Sequence, residues 1–425
     1  MTVLPRSLLP QTAAVGPDGS LSVGGVRLLD IAAEVGTPAF VYDRAHVRAR
    51  CEEAVAAFPR GVAYASKAFL CKEMARVAIA AGMRIDVATG GEMFVALSAG
   101  AAPEQLFFHG NNKSTAELTE AVRLGVGGIV LDSFDEIDRL EGIVRSGGHA
   151  PVPCLIRITP GIEAHTHEYI MTGQDDSKFG FRMASGTAQE AADRVRASAA
   201  IELLGVHAHI GSLIFDTVAF EKEVEVLAPF VVANEARELC VGGGLGVPYV
   251  TGEEASSLTE WGAAVQAAAR RCGLPDDVAV TAEPGRAIAA TAGITLYTVG
   301  TIKEVPGIRT YLSVDGGMSD NPRPVLYGSG YEAFLPRDPF ADRRRVVTMV
   351  GKHCESGDFV IKDAEVPGDV VVGDVIATPV TGAYGYTMAS NYNRVPRPPV
   401  VFVEDGDIQV AVRRETYEDL VRLDS

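Results

Sequence analysis

Between residues 62 and 282 one pattern repeats: a short apolar run, an amphipathic helical stretch, and another apolar run. The apolar runs are Val62–Ser66, Arg84–Ala88, Gln105–Phe108, Gly128–Leu131, Val152–Ile158, Glu202–His209, Glu238–Val241 and Val278–Ala282. Helical periodicity covers Lys72–Ala81, Thr115–Leu124 and Ala255–Arg271 among the intervening segments. Eight such units in roughly 230 residues predict a closed parallel (β/α)8 TIM-type barrel. An open doubly wound sheet has no reason to show eight evenly spaced units, and no Gly-x-Gly-x-x-Gly follows the first strand.

The polar residues gather at the C-terminal ends of these strands, where barrels build active sites. Strand one ends at Lys67, two at Asp86 and Thr89, three at His109 and Asn111, four at Asp132 and five at Arg157. Strand six ends in His207-Ala-His209-Ile-Gly-Ser212, seven in Gly242-Gly243-Gly244-Leu-Gly246 and eight in Glu283-Pro284-Gly285-Arg286.

Past Tyr297 the pattern becomes β-rich, with runs at Arg309–Asp315, Val346–Val350, Asp369–Thr378, Val400–Val403 and Ile408–Arg413, and one helical stretch at Glu415–Leu423. A C-terminal, mostly antiparallel β-domain is expected. The extended runs Leu21–Leu28 and Pro38–Tyr42 flank a helix candidate at Asp30–Val35 and are expected to join that domain. The expected division is therefore 1–44 N-terminal strands, 45–297 barrel and 298–425 β-domain.

Lys67 closes an apolar run, so its amine is expected to be desolvated, lowered in pKa and suited to Schiff-base chemistry; the plain alternative is a solvated residue just past a strand. The glycines after strand seven and Pro284-Gly285-Arg286 after strand eight stand where barrels hold phosphate on backbone N–H groups, although tight turns use the same residues. A reactive lysine facing a phosphate site points to pyridoxal 5'-phosphate. Glu283 suits the protonated ring nitrogen of that cofactor, His209 its ring face and Ser212 its phosphate; a strand-end ion pair, a core histidine and a helix cap are the respective alternatives. His207-x-His209 and His165-x-His167 raise a metal reading, but barrel hydrolases with this pair carry it on the first strand and their lysine later, the reverse of the order here. No metal is expected.

Composition narrows the partners. Against 38 Lys+Arg stand 55 Asp+Glu, a formal charge of −17 that repels a nucleic-acid backbone. The six cysteines form no Cys-x-x-Cys pair, which favours free thiols in a reducing compartment. No run reaches the roughly 18 apolar residues of a membrane span, and the N-terminus lacks an apolar signal region. A cytoplasmic protein with no membrane partner is expected.

Ten segments, in order, resemble those of diaminopimelate decarboxylases within the fold-type III pyridoxal phosphate decarboxylases: Tyr64-Ala-Ser-Lys-Ala-Phe69, Asp86-Val-Ala-Thr-Gly-Gly-Glu92, Ser177-Lys-Phe-Gly180, His207-Ala-His-Ile-Gly-Ser212, the 242–246 glycine run, Glu283-Pro-Gly-Arg286, Asp315-Gly-Gly317, Asn321-Pro-Arg-Pro-Val-Leu-Tyr327, Cys354-Glu-Ser-Gly-Asp358 and Gly382-Ala-Tyr384. The resemblance spans nearly the whole chain. It implies a homodimer with shared active sites that removes carbon dioxide from meso-2,6-diaminopimelate to give L-lysine. It also implies that Lys67 is the Schiff-base lysine, His209 stacks on the ring and Glu283 pairs with its nitrogen. Asp86, Ser212, Gly242, Gly243, Gly244, Pro284, Gly285, Arg286 and Tyr384 complete the cofactor site. Arg286, Arg323 and Tyr327 would hold the distal carboxylate of the amino-acid substrate, Glu355 its distal ammonium, and Tyr384 would touch substrate as well as cofactor. Cys354 would be the acid that reprotonates carbon. The segment after Asn393, Arg394-Val-Pro-Arg397, departs from the usual arrangement. Alternatives from other classes are a decarboxylase of a lysine-like or ornithine-like amino acid, an amino-acid racemase and a cofactor carrier without turnover. A bare carrier needs no substrate clamp.

Overall fold

The computed structural model describes residues 3–162 and 177–425. The chain forms two compact units: residues 50–246 with 255–287, and residues up to 49 with 247–254 and 288–425.

In the first unit eight strands pair in sequence order, all parallel: β1 (Ala63–Ala65), β2 (Arg84–Val87), β3 (Leu106–Phe108), β4 (Gly128–Leu131), β5 (Val152–Thr159), β6 (Ile201–His207), β7 (Glu238–Cys240) and β8 (Ala279–Thr281). The ring closes where the Ala63 N–H donates to the Ala282 carbonyl (2.9 Å) and the Ala65 N–H to the Pro284 carbonyl (3.2 Å). The expected barrel is therefore the observed one. Strands such as β4 are buried at every residue, as parallel strands covered on both faces must be. Phe107, Val130, Leu155 and Cys240 pack together inside the ring, so the barrel is filled and chemistry is confined to its mouth.

The helices between the strands begin where side chains replace missing backbone partners. Ser114 and Glu117 form a reciprocal capping box at the start of helix Thr115–Leu124, and Ser257 and Glu260 repeat it at Leu258–Arg271. Trp261, fully buried, packs on Phe58 and Phe220 with ring centroids 4.9 and 5.0 Å away. Lys113 is also fully buried: its Nζ meets Glu136 Oε1 at 2.7 Å and the carbonyls of Val130 and Gly110 at 2.7 and 2.8 Å. Lys113→Met should strand the Glu136 carboxylate and cost about 3–5 kcal/mol of unfolding free energy. The double variant Lys113→Met/Glu136→Leu should recover most of it. Urea midpoints for the two proteins check this, and equal losses in both would contradict it.

Lys67 departs from expectation. Strand β1 stops at Ala65, and Ser66–Ala68 form a 3-10 turn. Ser66 and Ala68 are buried while Lys67 is exposed, because a turn of three residues sends the middle side chain away from the wall its neighbours face. The desolvated lysine predicted from the apolar run is thus a solvent-reaching amine.

In the second unit the main sheet runs Phe359–Val366, Arg345–Val350, Arg309–Val314, Gly293–Val305, Ala39–Asp43, Val400–Glu404 and Asp407–Val412, with Val375–Pro379 also paired to Gly293–Val305. All neighbours are antiparallel except Arg309–Val314 with Arg345–Val350 and Ala39–Asp43 with Val400–Glu404. Leu21–Val23 and Val26–Arg27 pair with each other, and Ala14–Val15 with the former, in a small sheet of their own. No described helix is long and apolar enough to cross a membrane.

Candidate active site

At the barrel mouth the ends of β2, β3, β6 and β7 bring four polar side chains around one carboxylate, that of Glu283 beyond β8. Glu283 Oε2 lies 2.9 Å from His207 Nε2, and Oε1 accepts from Cys240 Sγ at 3.1 Å. His109 Nε2 stands 3.3 Å from both Glu283 Oε1 and Asp86 Oδ1, and its ring meets that of His207 edge-on with centroids 5.0 Å apart. Parallel pairing makes this convergence, because neighbouring strands all bring their C-terminal ends to one side of the ring.

The cluster holds its protons unequally. Burial would raise the Glu283 carboxyl, but His109 and His207 outweigh it and hold that group well below the usual carboxylate range. Burial would lower His109, yet the Glu283 and Asp86 carboxylates lift it to about 9. Burial, with Glu283 nearby, pushes Asp86 up to about 7, and burial brings His207 down to about 4. At neutral pH Glu283 is therefore anionic, His109 carries the compensating charge and His207 is neutral, donating through Nε2.

His209 lies beyond β6, and its Nδ1 accepts from the Gly243 N–H at 3.2 Å. Burial lowers its pKa, leaving a neutral ring with its proton on Nε2. The paired histidines thus diverge: His207 serves Glu283 and His209 serves the glycine run, while the convergent imidazole beside Glu283 is His109. His165 and His167 lie outside the described residues. Gly242 is in the left-handed region at φ 61°, and a Cβ on Gly243 would stand 2.3 Å from the Glu283 carbonyl oxygen. Only glycine lets these two loops touch. Ser212 and Arg286 are half-buried, Pro284 and Gly285 buried, at the same end of the barrel. Lys67 acts electrostatically on both Asp86 and His209, which puts its amine at this mouth.

The second unit carries the remaining predicted residues. Arg323 is 2% exposed; its Nη1 donates to Tyr331 Oη at 2.6 Å and its guanidinium lies 4.4 Å from the Tyr249 ring centroid. Among the described residues no carboxylate is within ion-pair distance of it. Tyr327 ends the short helix Arg323–Tyr327 and is half-buried. Cys354 and Glu355 are exposed, whereas Cys51, Cys71, Cys154 and Cys240 are buried, so Cys354 is not the small core residue its type usually is. Tyr384 holds a left-handed backbone at φ 60°.

Residues 44–290 match the model of the pyridoxal-dependent decarboxylase family, pyridoxal binding domain. The chain is 46% identical to the diaminopimelate decarboxylase of Bacillus subtilis over 430 residues, 97% of each chain, and 44% identical to that of Mycobacterium tuberculosis over 441 residues, 99% of this chain and 98% of the relative. The chain belongs to the diaminopimelate decarboxylase family. The diaminopimelate decarboxylase of M. jannaschii in complex with L-lysine superposes with a TM-score of 0.90 at 30% identity, covering 98% of each chain. That of Helicobacter pylori, also with L-lysine, gives 0.85 at 31% identity over 93% of this chain and 98% of the other.

Pyridoxal phosphate is the cofactor of this family, and the barrel mouth fits it. Glu283 is an ionised acceptor of the kind a protonated pyridine nitrogen needs, the glycine loops present backbone where a side chain would intrude, and the Lys67 amine is at hand. Neither His109 nor Cys240 is among the cofactor or substrate residues expected from the sequence, yet both meet Glu283. A signal existed for His109, which stands at the end of β3 among the strand-end polar residues; Cys240 reads as one more apolar residue of β7.

Proposed function

We propose that the protein removes carbon dioxide from the D-centre of meso-2,6-diaminopimelate and releases L-lysine, the last step of a lysine-forming sequence. The observation that carries the substrate choice is Arg323, a buried guanidinium with no carboxylate of the described chain beside it. Such a cation is costly to keep dry unless an anion comes to it, and a distal carboxylate is that anion. Bound pyridoxal phosphate supplies the electron sink that accepts the pair left when carbon dioxide departs.

The chain's own residues do the rest. Lys67 would hold the cofactor through its aldehyde carbon. Glu283 would hold the ring nitrogen and His209 its face, with Asp86 and Tyr384 as further cofactor contacts. Ser212, Gly243, Gly285 and Arg286 would surround the phosphate, with Gly242, Gly244 and Pro284 as further cofactor contacts. Arg286 and Tyr327 join Arg323 on the distal carboxylate, Glu355 takes the distal ammonium, and the Cys354 thiol delivers a proton to the carbon that lost its carboxylate. That proton, in exchange for one carbon dioxide, balances the reaction.

We further propose a homodimer in which Cys354 and Glu355 serve the site of the other subunit; their exposure in a single chain supports this. A reducing cytoplasm suits the six unpaired thiols.

Purified protein should release carbon dioxide and L-lysine from meso-diaminopimelate; epimerisation without carbon dioxide would identify a racemase instead. Borohydride should fix the cofactor to one lysine, and peptide mapping should find it on Lys67. An adduct on any other lysine removes Lys67 from its role.

A further inference from the structure

The segment His353-Cys354-Glu355 follows strand Arg345–Val350, and regular structure does not hold it. His353 is fixed by its own bonds: its N–H donates to Asp358 Oδ2 at 2.8 Å, and its Nε2 lies 2.9 Å from Ser319 Oγ. The next two residues are exposed and are gripped from elsewhere in the same unit. The Cys354 N–H donates to Asn393 Oδ1 at 3.0 Å, the Tyr392 hydroxyl donates to Glu355 Oε2 at 3.4 Å, and the Tyr392 ring lies 5.6 Å from that of His353.

The gripping turn is itself unusual. Asn393 (φ 51°, ψ 24°) and Arg394 (φ 55°) are successive left-handed residues, and neither is glycine. Two such residues in a row persist only where the surroundings over-determine them. Here they do. Asn391 Nδ2 donates to Glu415 Oε2 at 2.6 Å, Arg397 Nε to Glu415 Oε1 at 2.7 Å, and Arg394 Nη1 to the Leu420 carbonyl at 2.7 Å. The Ser390 N–H donates to the Ser319 carbonyl at 2.8 Å, the residue that also holds His353. Strain and bracing both aim the Asn393 amide at the Cys354 backbone.

We propose that the left-handed turn Tyr392-Asn393-Arg394 is the positioning element for Cys354 and Glu355, with the Asn393 amide oxygen fixing the cysteine backbone. The proposal rests on the reading of Cys354 as the proton donor and Glu355 as the ammonium site. A donor that must reach one carbon in one geometry loses rate when its backbone drifts, even if its chemistry is intact. The turn ties that geometry to the C-terminal segment around Glu415 and Leu420, which the chemistry never touches.

Asn393→Gly keeps the left-handed backbone and removes only the amide, whereas Asn393→Asp keeps an acceptor oxygen in a residue that tolerates the same conformation. In holoenzyme, Asn393→Gly should raise hydrogen exchange at the Cys354 amide at least about tenfold. It should also lower kcat by roughly tenfold to a hundredfold, with cofactor binding unchanged. Asn393→Asp should stay within about threefold of the parent protein in both measurements, since the acceptor remains. Wild-type kcat in Asn393→Gly overturns the proposal, as does equal impairment of the two variants. Cys354→Ala separates the underlying reading: if it stays fully active, Cys354 is not the donor and the proposal falls with it, while the exchange result still reports on the hydrogen bond alone.

Discussion

Meso-diaminopimelate should be decarboxylated with a kcat/KM at least about 30-fold above that of lysine, ornithine or arginine, and Arg323→Ala should erase most of that margin while the cofactor stays bound. Lysine and ornithine offer a distal amine without a distal carboxylate, and arginine a second guanidinium. Each leaves Arg323 facing no anion in a site where it is 2% exposed and where, among the described residues, it meets the Tyr331 hydroxyl and the Tyr249 and Tyr331 rings. Leaving one member of a buried, charge-assisted pair without its partner costs about 2–5 kcal/mol. That range corresponds to a preference of roughly 30-fold to several thousand-fold. Arg323→Lys should fail to restore the margin, because a point-charge ammonium cannot reproduce a planar fork held against Tyr249 and Tyr331. Carbon dioxide release from the four amino acids, with wild type and both variants, makes the measurement. Turnover of lysine or ornithine as fast as that of meso-diaminopimelate would remove the substrate assignment and leave the decarboxylase class standing.

The barrel was legible because its signal is periodic and local. Strand β4 and helix Thr115–Leu124 were bounded to the residue, and the other barrel strands to within two. The β-rich unit was less so. Gly293–Val305 was missed as a strand: its first half is buried on both faces and its second half is largely exposed, so neither alternation nor a uniform apolar run marks it. Phe359–Val366 was missed because register shifts in its pairing with Arg345–Val350 break the alternation that reveals a strand. Asp369–Thr378 looks like one run in sequence, yet a turn through Gly373 precedes the strand, which occupies Val375–Pro379. At the site, the types and places of the strand-end residues could be read, but not their protonation. Glu283 stays ionised because His109 and His207 stand 3.3 and 2.9 Å from it, while burial and the nearby Glu283 carboxylate push Asp86 up to about 7, and these distances between strands are encoded by no sequence spacing. The misplaced burial of Lys67 has the same origin, since an apolar run shows where a wall lies and not where the chain turns out of it.

Lys67→Ala and Cys354→Ala homodimers should each retain well under a hundredth of wild-type activity, the usual scale for loss of a covalent anchor or a proton donor. An equal mixture of the two, allowed to exchange subunits, should nevertheless recover about a quarter of it. In the proposed homodimer each site takes Lys67 from one subunit and Cys354 from the other. A mixed dimer then holds one site with both residues replaced and one with both intact. Random association makes half of all dimers mixed, and half the sites in those are competent. If instead each chain completed its own site, every site in the mixture would lack one residue, and mixing would restore nothing. Exchange must be shown independently, by native mass spectrometry of subunits carrying different tags. With exchange demonstrated, an inactive mixture would place Cys354 and Lys67 of the same chain at one site, and the exposure of Cys354 would then need another explanation.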